Sequence, residues 1–491
     1  MWLLVFLSSG LFLGWSVGAN NTGNVFGTAV GSKMVSFKVA ATVSSICLVL
    51  GALLSGAGTT STLGKLGSVN ELGGAFIVAL AAAVAIFGMT RFKLPVSTSQ
   101  SIVGAIIGWN FFAGAITDYE SLTKIVFSWV VAPAVSGVFA VITYILVKKL
   151  LSRIKIHILY LDFYNRLGLI LVGGFGAYSL GANNIANVMG VFVPVAPLRP
   201  IDTLFGTISG SEQLFIMGGI AMAVGVFTYS GKVLRTVGNN IMPLTPLTAF
   251  MVVFSSSTVL FLFSSQSLEK FLIMLGLPTI PLVPIASAQT VIGAIIGIGL
   301  YQGGKEMNFR LIAKIASGWI TAPVIACVVS LISLYIIQNV FNQPVYKPVS
   351  YKMSYEVEKR LISEGIVFER MDLLVDQEYK NAAEFQSALK DYALGDSDIK
   401  RVTELSALRN LTVNTDLIQF EINDGWFTHE QSEILKRLNG QSFKYAWELR
   451  DALEASGTDW RLKDNIKNNS SEHKQINKDI NSKFDYICKK F

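Results

Sequence analysis

The sequence predicts an all-α membrane protein that crosses the bilayer many times and consists of two related halves, followed by a small soluble domain. Three observations support this prediction. Of the 491 residues, 52% are hydrophobic and only 15% are charged, whereas soluble chains carry about a quarter of charged residues. Motifs rich in Gly, Asn, Ser and Gln occur twice in the same order. Beyond about Gln343 the sequence becomes charged and has no apolar run of membrane-span length.

The apolar stretches are the basis for predicting membrane spans. A span needs about 20 mainly apolar residues, because hydrocarbon offers no water to satisfy backbone groups outside a helix. Candidate stretches include residues 1–17, 39–54, 75–89, 125–147, 167–180, 214–226, 249–263 and 315–337. The first stretch lacks a basic start, and the motif after it recurs later in the chain, which argues against a cleaved signal peptide.

The charged and sulfur-containing residues exclude other classes of protein. The formal net charge is +7, but the basic residues lie mostly in short loops and in the C-terminal part, as orientation signals of membrane proteins do. We therefore expect no nucleic-acid partner. Lys232 and Arg235 are interpreted as loop cations rather than ligands. Cys47, Cys327 and Cys488 are scattered and form neither a disulfide framework nor a metal pattern.

Three blocks of sequence are repeated, and this repetition is the most informative feature of the chain. GANNTGNVFG at 18–27 returns as GANNIANVMG at 181–190, 163 residues later. PVSTSQSIVGAIIG at 95–108 returns as PIASAQTVIGAIIG at 284–297, 189 residues later. WVVAP at 129–133 returns as WITAP at 319–323. The order is the same in both halves, so the second half is a copy of the first that has grown by insertion.

These repeats define the predicted domains. The two halves are residues 1–147 and 166–342, joined by a basic linker at 148–165 that the positive-inside bias places in the cytoplasm. Residues 346–460 are predicted to form a soluble domain of unknown role. The Lys- and Asn-rich stretch 461–491 is predicted to be disordered.

The Asn-rich motifs are the first candidate site. Asn20 and Asn24 are four residues apart and Asn21 and Asn24 are three apart, so a helix would place their amides on one face. The surrounding glycines permit unwinding, and we expect each motif to break its helix inside the bilayer, as binding sites of secondary transporters do. Amides can donate to an anion or offer oxygen to a cation. Six amides at matched depth are costly to bury without partners, which favours a binding site over packing.

The Pro-Ser-Thr motifs are the second candidate site. Pro95 can open a helix, and the polar residues 97–100 would lie beside the unpaired N–H groups of its first turn. A helix N-terminus with hydroxyls is a ready oxyanion site. The following Gly-Ala-Ile-Ile-Gly suits a re-entrant hairpin, because small residues let two helical arms approach closely. For this motif alone a purely structural role stays open.

The third repeated block is interpreted as structural. Trp129 and Trp319 would anchor their helices at the membrane interface. Pro133 and Pro323 would kink the same helices.

At these residues the chain resembles the inorganic phosphate transporter (PiT) family, whose hallmark is a duplicated Gly-Ala-Asn-Asp-x-x-Asn motif, each copy followed by a Pro-x-Ser-Thr-Thr/Ser hairpin. The resemblance covers roughly residues 1–342, including 233–246. It implies inverted repeats with about twelve spans and two re-entrant hairpins. It also implies symport of phosphate with Na⁺ or H⁺, a homodimer, and a multi-pass position in the plasma (inner) membrane. We expect no enzymatic activity, since the intramembrane motifs hold no acid–base pair.

The resemblance also assigns residues to the site. The oxyanion would be held by the hairpin tips and by two asparagines of the repeated motif, namely Ser97, Thr98, Ser99, Gln100, Ser287, Gln289, Thr290, Asn21 and Asn184. The coupling cation would be held by Asn20, Asn24, Asn183 and Asn187. No cofactor and no metal other than Na⁺ is implied.

Two departures from the family pattern leave alternatives open. Asn21 and Asn184 stand where the family has Asp, and the second hairpin reads Ala286-Ser287-Ala288, with fewer hydroxyls than the first. Because the carboxylates are lost, the coupling ion is open, and the substrate could be sulfate or another tetrahedral oxyanion. A channel, or a sensor that signals through the C-terminal domain, is the alternative from a different class.

Overall fold

The computed structural model describes residues 2–491 except 32, 68, 92–95, 154–157, 197, 199–200, 204–205, 232–241, 306, 369, 391, 393, 424 and 464–469. The chain divides into two compact units, Met1–Lys347 and Pro348–Phe491.

The first unit is almost entirely helical. Its helices are α1 (Trp2–Gly31), α2 (Phe37–Ser55), α3 (Ala57–Leu66), α4 (Leu72–Arg91), α5 (Thr98–Ala113), α6 (Tyr119–Arg153), α7 (Ile158–Met189), α8 (Gly210–Thr228), α9 (Pro246–Ser264), α10 (Gln266–Met274), α11 (Ser287–Tyr301) and α12 (Phe309–Asn339). A short ribbon pairs β1 (Ile201–Thr203) antiparallel with β2 (Gly206–Ile208).

Within the described residues, eight helices are long and apolar enough to cross a membrane, namely α1, α2, α4, α6, α7, α8, α9 and α12. This confirms the prediction of an all-α polytopic membrane protein. The number is lower than the about twelve spans expected, because α3, α5, α10 and α11 have only 9–16 residues.

Local sequence explains where several helices begin and end. α8 starts with a capping box between Ser209 and Glu212, which satisfies two orphan backbone N–H groups. α9 starts with Thr245 as its N-cap and Pro246 in its first turn, where a missing N–H costs nothing. α5 ends at Gly114, whose φ of 62° is left-handed and favours glycine.

The two halves have the same order of helices and are intertwined. The repeated motifs relate α1 to α7, α5 to α11 and α6 to α12, while α10 belongs to the insertion that lengthens the second half. α1 packs against α8 and α7 packs against α2. A Cβ at Gly18 would meet the carbonyl of Met222, and a Cβ at Gly181 would meet that of Leu48. Glycine is therefore required in both motifs for close contact with the other half.

α4 and α5 form an antiparallel hairpin, because the start of α4 lies close to the end of α5. Phe6 and Phe12 of α1 contact Phe76 and Phe87 of α4, with ring centroids 6.2 and 6.1 Å apart, so α4 runs parallel to the first half of α1. A Cβ at Gly74, near the start of α4, would meet the Trp109 ring near the end of α5. The hairpin tip therefore reaches the middle of α1, as predicted for a re-entrant hairpin.

The path of the first half supports inverted repeats. α1 runs past the hairpin tip, and α2 and α3 run back in the opposite direction. α3 ends near the end of α5, where the Leu66 carbonyl accepts a hydrogen bond of 3.2 Å from the Asn110 amide. α6, with 35 residues, then crosses again. If α1, α2 with α3, and α6 each cross the membrane once and the hairpin does not, the start of α1 and the end of α6 lie on opposite sides, and the second half starts with the opposite orientation.

This path predicts the side of the chain ends. With the basic end of α6 in the cytoplasm, the N-terminus and the chain after α12 emerge outside. We expect Lys436→Cys to be labelled in intact cells by a membrane-impermeant thiol reagent and Ser152→Cys to be labelled only after lysis; both positions are exposed. Both variants carry serine at Cys47, Cys327 and Cys488.

The opposite labelling pattern would contradict this orientation. Four basic residues just beyond α12, Lys347, Lys352, Lys359 and Arg360, favour that opposite pattern by the positive-inside bias. The paired variants therefore decide between two conflicting signals in the sequence.

The second unit contains short helices and strand pairs. Its elements are β3 (Tyr351–Lys352), α13 (Tyr355–Ser363), β4 (Glu378–Tyr379), α14 (Ala382–Lys390), α15 (Asp396–Ser406), β5 (Leu408–Thr412), α16 (Gln419–Asn423), α17 (His429–Arg437), β6 (Ser442–Tyr445), α18 (Ala446–Ser456) and α19 (Ser470–Lys490). One apolar cluster includes Val357, Phe385 and Val402, and a second includes Leu435 and Trp460.

The predictions for the linker and the tail differ from the structure. Ile480, Phe484 and Ile487 of α19 are buried in the second cluster, because their spacing places them on one face of the helix. The prediction of disorder over 461–491 is therefore wrong for α19; residues 464–469 lie outside the described residues. Of the predicted linker 148–165, residues 148–153 end α6 and residues 158–165 begin α7.

Candidate functional site

The Asn motifs lie within continuous helices, in contrast to the predicted breaks. Residues 18–24 belong to α1 and residues 181–187 belong to α7. A continuous helix keeps the backbone groups satisfied inside a membrane, and only the side-chain amides need other partners. Interruptions of the helices lie instead before α5 and before α11, and at Gly56 between α2 and α3.

A network of buried amides and hydroxyls joins both halves. The amide nitrogen of Asn21 donates to Thr98 Oγ1 at 3.0 Å and to Asn184 Oδ1 at 3.4 Å. The amide nitrogen of Asn187 donates to Ser99 Oγ at 3.0 Å and to Asn184 Oδ1 at 3.2 Å. All five side chains are almost inaccessible to solvent. The network therefore fixes the first hairpin tip against the motifs of α1 and α7.

Asn183 holds the second hairpin. Its Oδ1 accepts from the N–H of Ile285 at 2.9 Å, and its Nδ2 donates to the Ile285 carbonyl at 2.8 Å. Ser99 Oγ donates to the same carbonyl at 3.0 Å. The two hairpin tips thus meet at Ile285. Sequence reasoning missed this residue, because it acts through its backbone and its side chain gives no signal.

Two helices begin at this meeting point. Ser97 caps α5 by accepting the N–H of Gln100 at 3.3 Å. Ala286 precedes α11 and has no side chain that could cap it. The Thr290 hydroxyl donates to the Ala286 carbonyl at 2.9 Å. The first turn of α11 therefore offers N–H groups without a side-chain cap, and its partial positive charge favours an anion.

Several predicted site residues retain unused polar groups. Gln100 and Gln289 are each 3% exposed, and within the described structure their Oε1 atoms have no hydrogen-bond partner. The same holds for Asn187 Oδ1. Asn20 is buried and Asn24 is half-buried. Buried polar atoms without partners are costly, and each of these oxygens could accept a hydrogen bond or contact a cation.

The two hairpins differ in two hydroxyls, because Ala286 and Ala288 stand at the positions of Ser97 and Ser99. Ser99 accepts from Asn187, whereas the equivalent residue of the second hairpin is Ala288. Asn24, the counterpart of Asn187, therefore cannot form the equivalent bond. Among the described residues, no group of His, Cys, Asp and Glu could hold a metal ion. The network itself consists of Asn, Ser and Thr side chains, which are neutral donors and acceptors.

Pro95, Lys232, Arg235 and most of the stretch 233–246 lie outside the described residues.

A helical membrane protein with intertwined repeats, and with two hairpin tips meeting at a buried polar site, has an architecture that membrane transporters use. The sequence matches the model of the "Phosphate transporter family" over residues 17–278 and 270–389. The chain therefore belongs to the phosphate transporter family. The match extends beyond residue 342, the limit that the motifs indicated.

Three known proteins illustrate the similarity. A predicted phosphate permease of Thermococcus kodakarensis is 26% identical over 403 residues, which cover 67% of this chain and 96% of that protein. One of Haemophilus influenzae is 25% identical over 420 residues, covering 68% and 96%. The solved structure of a sodium-dependent phosphate transporter matches with a TM-score of 0.55 at 23% identity, covering 69% of this chain and 99% of that one.

These findings confirm three predictions from the sequence. The family is the one that the motifs indicated, and the protein is a multi-pass integral membrane protein of a transporter family rather than an enzyme. The likeness to the solved transporter shows that the fold is shared. The homodimer stays a prediction.

Proposed function

We propose that this protein is a symporter of inorganic phosphate coupled to Na⁺, with its site at the meeting point of the two hairpin tips. The observation that carries the proposal is the junction of two helix N-termini, one of them without a side-chain cap, between the Asn motifs of both halves. Two positive helix ends and several free donors suit a multiply charged oxyanion.

We assign the phosphate to side chains whose donors have no acceptor among the described residues. The hydroxyls of Ser97 and Thr98 accept hydrogen bonds and keep their own protons for the anion. Ser287, Gln100 and Gln289 add a hydroxyl and two amides in the first turns of α5 and α11.

The other predicted phosphate ligands take supporting roles in this proposal. Ser99 and Thr290 already donate to backbone carbonyls. Asn184 donates to the Leu180 carbonyl at 2.9 Å, and Asn21 donates to Thr98. These four residues therefore position the tips of the hairpins and the motif helices.

We assign the coupling cation to oxygen atoms of the Asn motifs. Asn187 Oδ1 is buried without a partner, and Asn20 and Asn24 lie on the equivalent motif of α1. Amide oxygens are acceptors suited to a cation. Asn183 is excluded from this set, because both ends of its amide bind Ile285. The solved relative is a sodium-dependent transporter, which supports Na⁺ over H⁺ here.

The matched family favours phosphate over sulfate, because its description names phosphate as the transported anion. The network itself consists of Asn, Ser and Thr side chains without a carboxylate, and these suit either tetrahedral anion. The preference for phosphate therefore needs a direct comparison of the two anions.

Uptake of radiolabelled phosphate and sulfate into proteoliposomes tests the proposal. We expect saturable phosphate uptake driven by an inward Na⁺ gradient, with sulfate a weak competitor. Uptake driven equally by a pH gradient in the absence of Na⁺ would show proton coupling. Flux that does not need a gradient would show a channel, and anion binding without flux would indicate a sensor.

The two hydrogen bonds between the Asn183 amide and the backbone of Ile285, called the clamp below, give a prediction about stability. Asn183→Ala removes two buried hydrogen bonds and leaves the backbone groups of Ile285 without these partners. We expect the free energy of unfolding to fall by about 1–3 kcal/mol, and phosphate uptake to fall with it. Thermal unfolding in detergent measures the change. Asn339→Ala is the matched control, since that exposed amide donates only to Tyr335 of its own helix; equal loss in both variants would contradict the clamp.

A further inference from the structure

The third repeated block packs against the hairpin helices of the opposite half. α11 lies on α6, and a Cβ at Gly293 would meet Pro133 while a Cβ at Gly297 would meet Gly137. Both contacts advance by four residues along both helices. α6 and α11 therefore run parallel in a fixed register, with glycines at the points of closest approach.

The other half repeats this packing. α5 lies on α12, and a Cβ at Gly104 would meet Pro323 while a Cβ at Gly108 would meet Cys327. The register is again parallel and again advances by four residues. The repeated Trp-x-x-x-Pro segments are therefore the surfaces on which the re-entrant helices rest.

One helical turn before the Pro–Gly contacts, towards the hairpin tip, the same register places a tryptophan beside a glutamine in both helix pairs. Trp129 lies level with Gln289, four residues before Pro133 and Gly293. Trp319 lies level with Gln100, four residues before Pro323 and Gly104. Residues four apart share one face of a helix, so each pair lies on the two facing surfaces.

The polar atoms of these pairs lack partners within the described structure. The indole Nε1 atoms of Trp129 and Trp319 are buried and have no acceptor, and the Oε1 atoms of Gln289 and Gln100 are buried and have no donor. A buried donor and a buried acceptor without partners thus occur together, at the same level, in both halves. Leaving a buried donor or a buried acceptor without a partner is destabilising, and a hydrogen bond from the indole N–H to the glutamine oxygen would satisfy both groups.

We propose that Trp129 and Trp319 are positioning residues, whose indole N–H groups donate to Gln289 Oε1 and Gln100 Oε1 when the anion is bound. An amide has an acceptor end and a donor end. If the indole holds the oxygen, the Nε2 donors face the oxyanion at the helix N-termini. The proposal rests on the proposed function, in which the two glutamines donate to phosphate. It gives both tryptophans a role beyond that of an interfacial anchor.

Tryptophan-to-phenylalanine variants of the full-length protein provide the first test. We expect Trp129→Phe and Trp319→Phe each to raise the KM for phosphate about 3- to 10-fold, the effect of losing one hydrogen bond, while the maximal rate changes little. Trp15→Phe is the matched control, because that half-buried indole donates to Thr228 Oγ1 at 2.8 Å. A merely structural role would lower the amount of folded protein and the maximal rate while the KM stays constant.

A double-mutant cycle tests the pairing itself. In a Gln289→Leu background, Trp129→Phe should have no further effect on phosphate affinity, because its acceptor is gone. In a Gln100→Leu background, the same Trp129→Phe change should retain its full effect. Trp319→Phe should show the reverse pattern. Equal effects in both backgrounds would overturn the proposal.

The cycle is measured as the shift in melting temperature that phosphate, and in parallel sulfate, produces in detergent. This measurement reports anion binding and does not depend on flux. A negative result for the Trp–Gln pairing is therefore distinguishable from a failure of the proposed transport function. A cycle that holds for sulfate only would support the pairing and contradict phosphate as the substrate. If neither anion shifts the melting temperature of the unmodified protein, anion-induced pairing is wrong.

Discussion

Replacing Ser97 and Thr98 together by alanine is expected to abolish phosphate uptake while the protein still inserts into the membrane. Both hydroxyls accept hydrogen bonds from protein groups and keep a proton free at the first turn of α5. Hydrogen bonds to a charged group contribute about 1.5–3 kcal/mol each. Losing two of them should therefore lower uptake by about a hundredfold or more, since each 1.4 kcal/mol is a factor of ten.

Ser101→Ala is the matched control for this double variant. Its hydroxyl is fully buried on the same helix but donates to the Ser97 carbonyl of the backbone at 3.2 Å. We expect near-normal uptake. Because Ser97 is also the N-cap of α5, the double variant should lose about 1 kcal/mol of stability, which thermal unfolding measures separately. Near-normal uptake by the double variant would remove the first hairpin from the site.

The sequence predicted the membrane class and the two hairpins because their signals are local. Apolar length indicates a span, and small residues in a fixed pattern indicate close packing. The hydroxyl-rich residues 97–100 do begin a helix inside the first unit. The predicted break at the Asn motifs was wrong, because glycine permits unwinding but does not require it. The glycines Gly18 and Gly181 instead admit a neighbouring backbone.

Partners between distant segments could not be predicted from the residues alone. Asn183 looks like its neighbours in the sequence, yet its amide binds both backbone groups of Ile285, while Asn184 and Asn187 bind other partners. The same composition that suggested disorder near the C-terminus conceals three apolar residues of α19 that meet a core formed by other segments. In both cases the contact that determines the structure joins residues far apart in the sequence, and a local sequence motif carries no information about such a contact.

The largest expected change in coupling concerns Asn21 and Asn184. In the structure the Asn21 amide nitrogen lies 3.4 Å from Asn184 Oδ1 and donates to it. Carboxylates at both positions would lose this bond and repel each other. At 4 Å, two unit charges repel by about 4 kcal/mol at an effective dielectric near 20. A cation between them would remove the repulsion, and so would a proton.

We therefore expect Asn21→Asp with Asn184→Asp to make phosphate uptake steeply dependent on Na⁺, or to stop it if no cation site forms. A carboxylate also repels phosphate until a cation neutralises it, whereas the natural amides donate hydrogen bonds without that penalty. The unmodified protein should accordingly depend less on Na⁺ than the double variant. The competing hypothesis is that Asn20, Asn24 and backbone carbonyls supply enough oxygen to bind Na⁺ fully.

Uptake measured against Na⁺ concentration at fixed pH separates these hypotheses. Asn70→Asp is the matched control, because it adds a carboxylate at an exposed amide outside the network, which binds Lys347. It should leave the Na⁺ dependence unchanged. The Na⁺ dependence of each single Asp variant should lie between that of the unmodified protein and that of the double variant. A single carboxylate repels the anion, but the repulsion between two carboxylates is absent. A steep Na⁺ requirement in the unmodified protein, unaltered by both substitutions, would show that this amide pair does not control coupling.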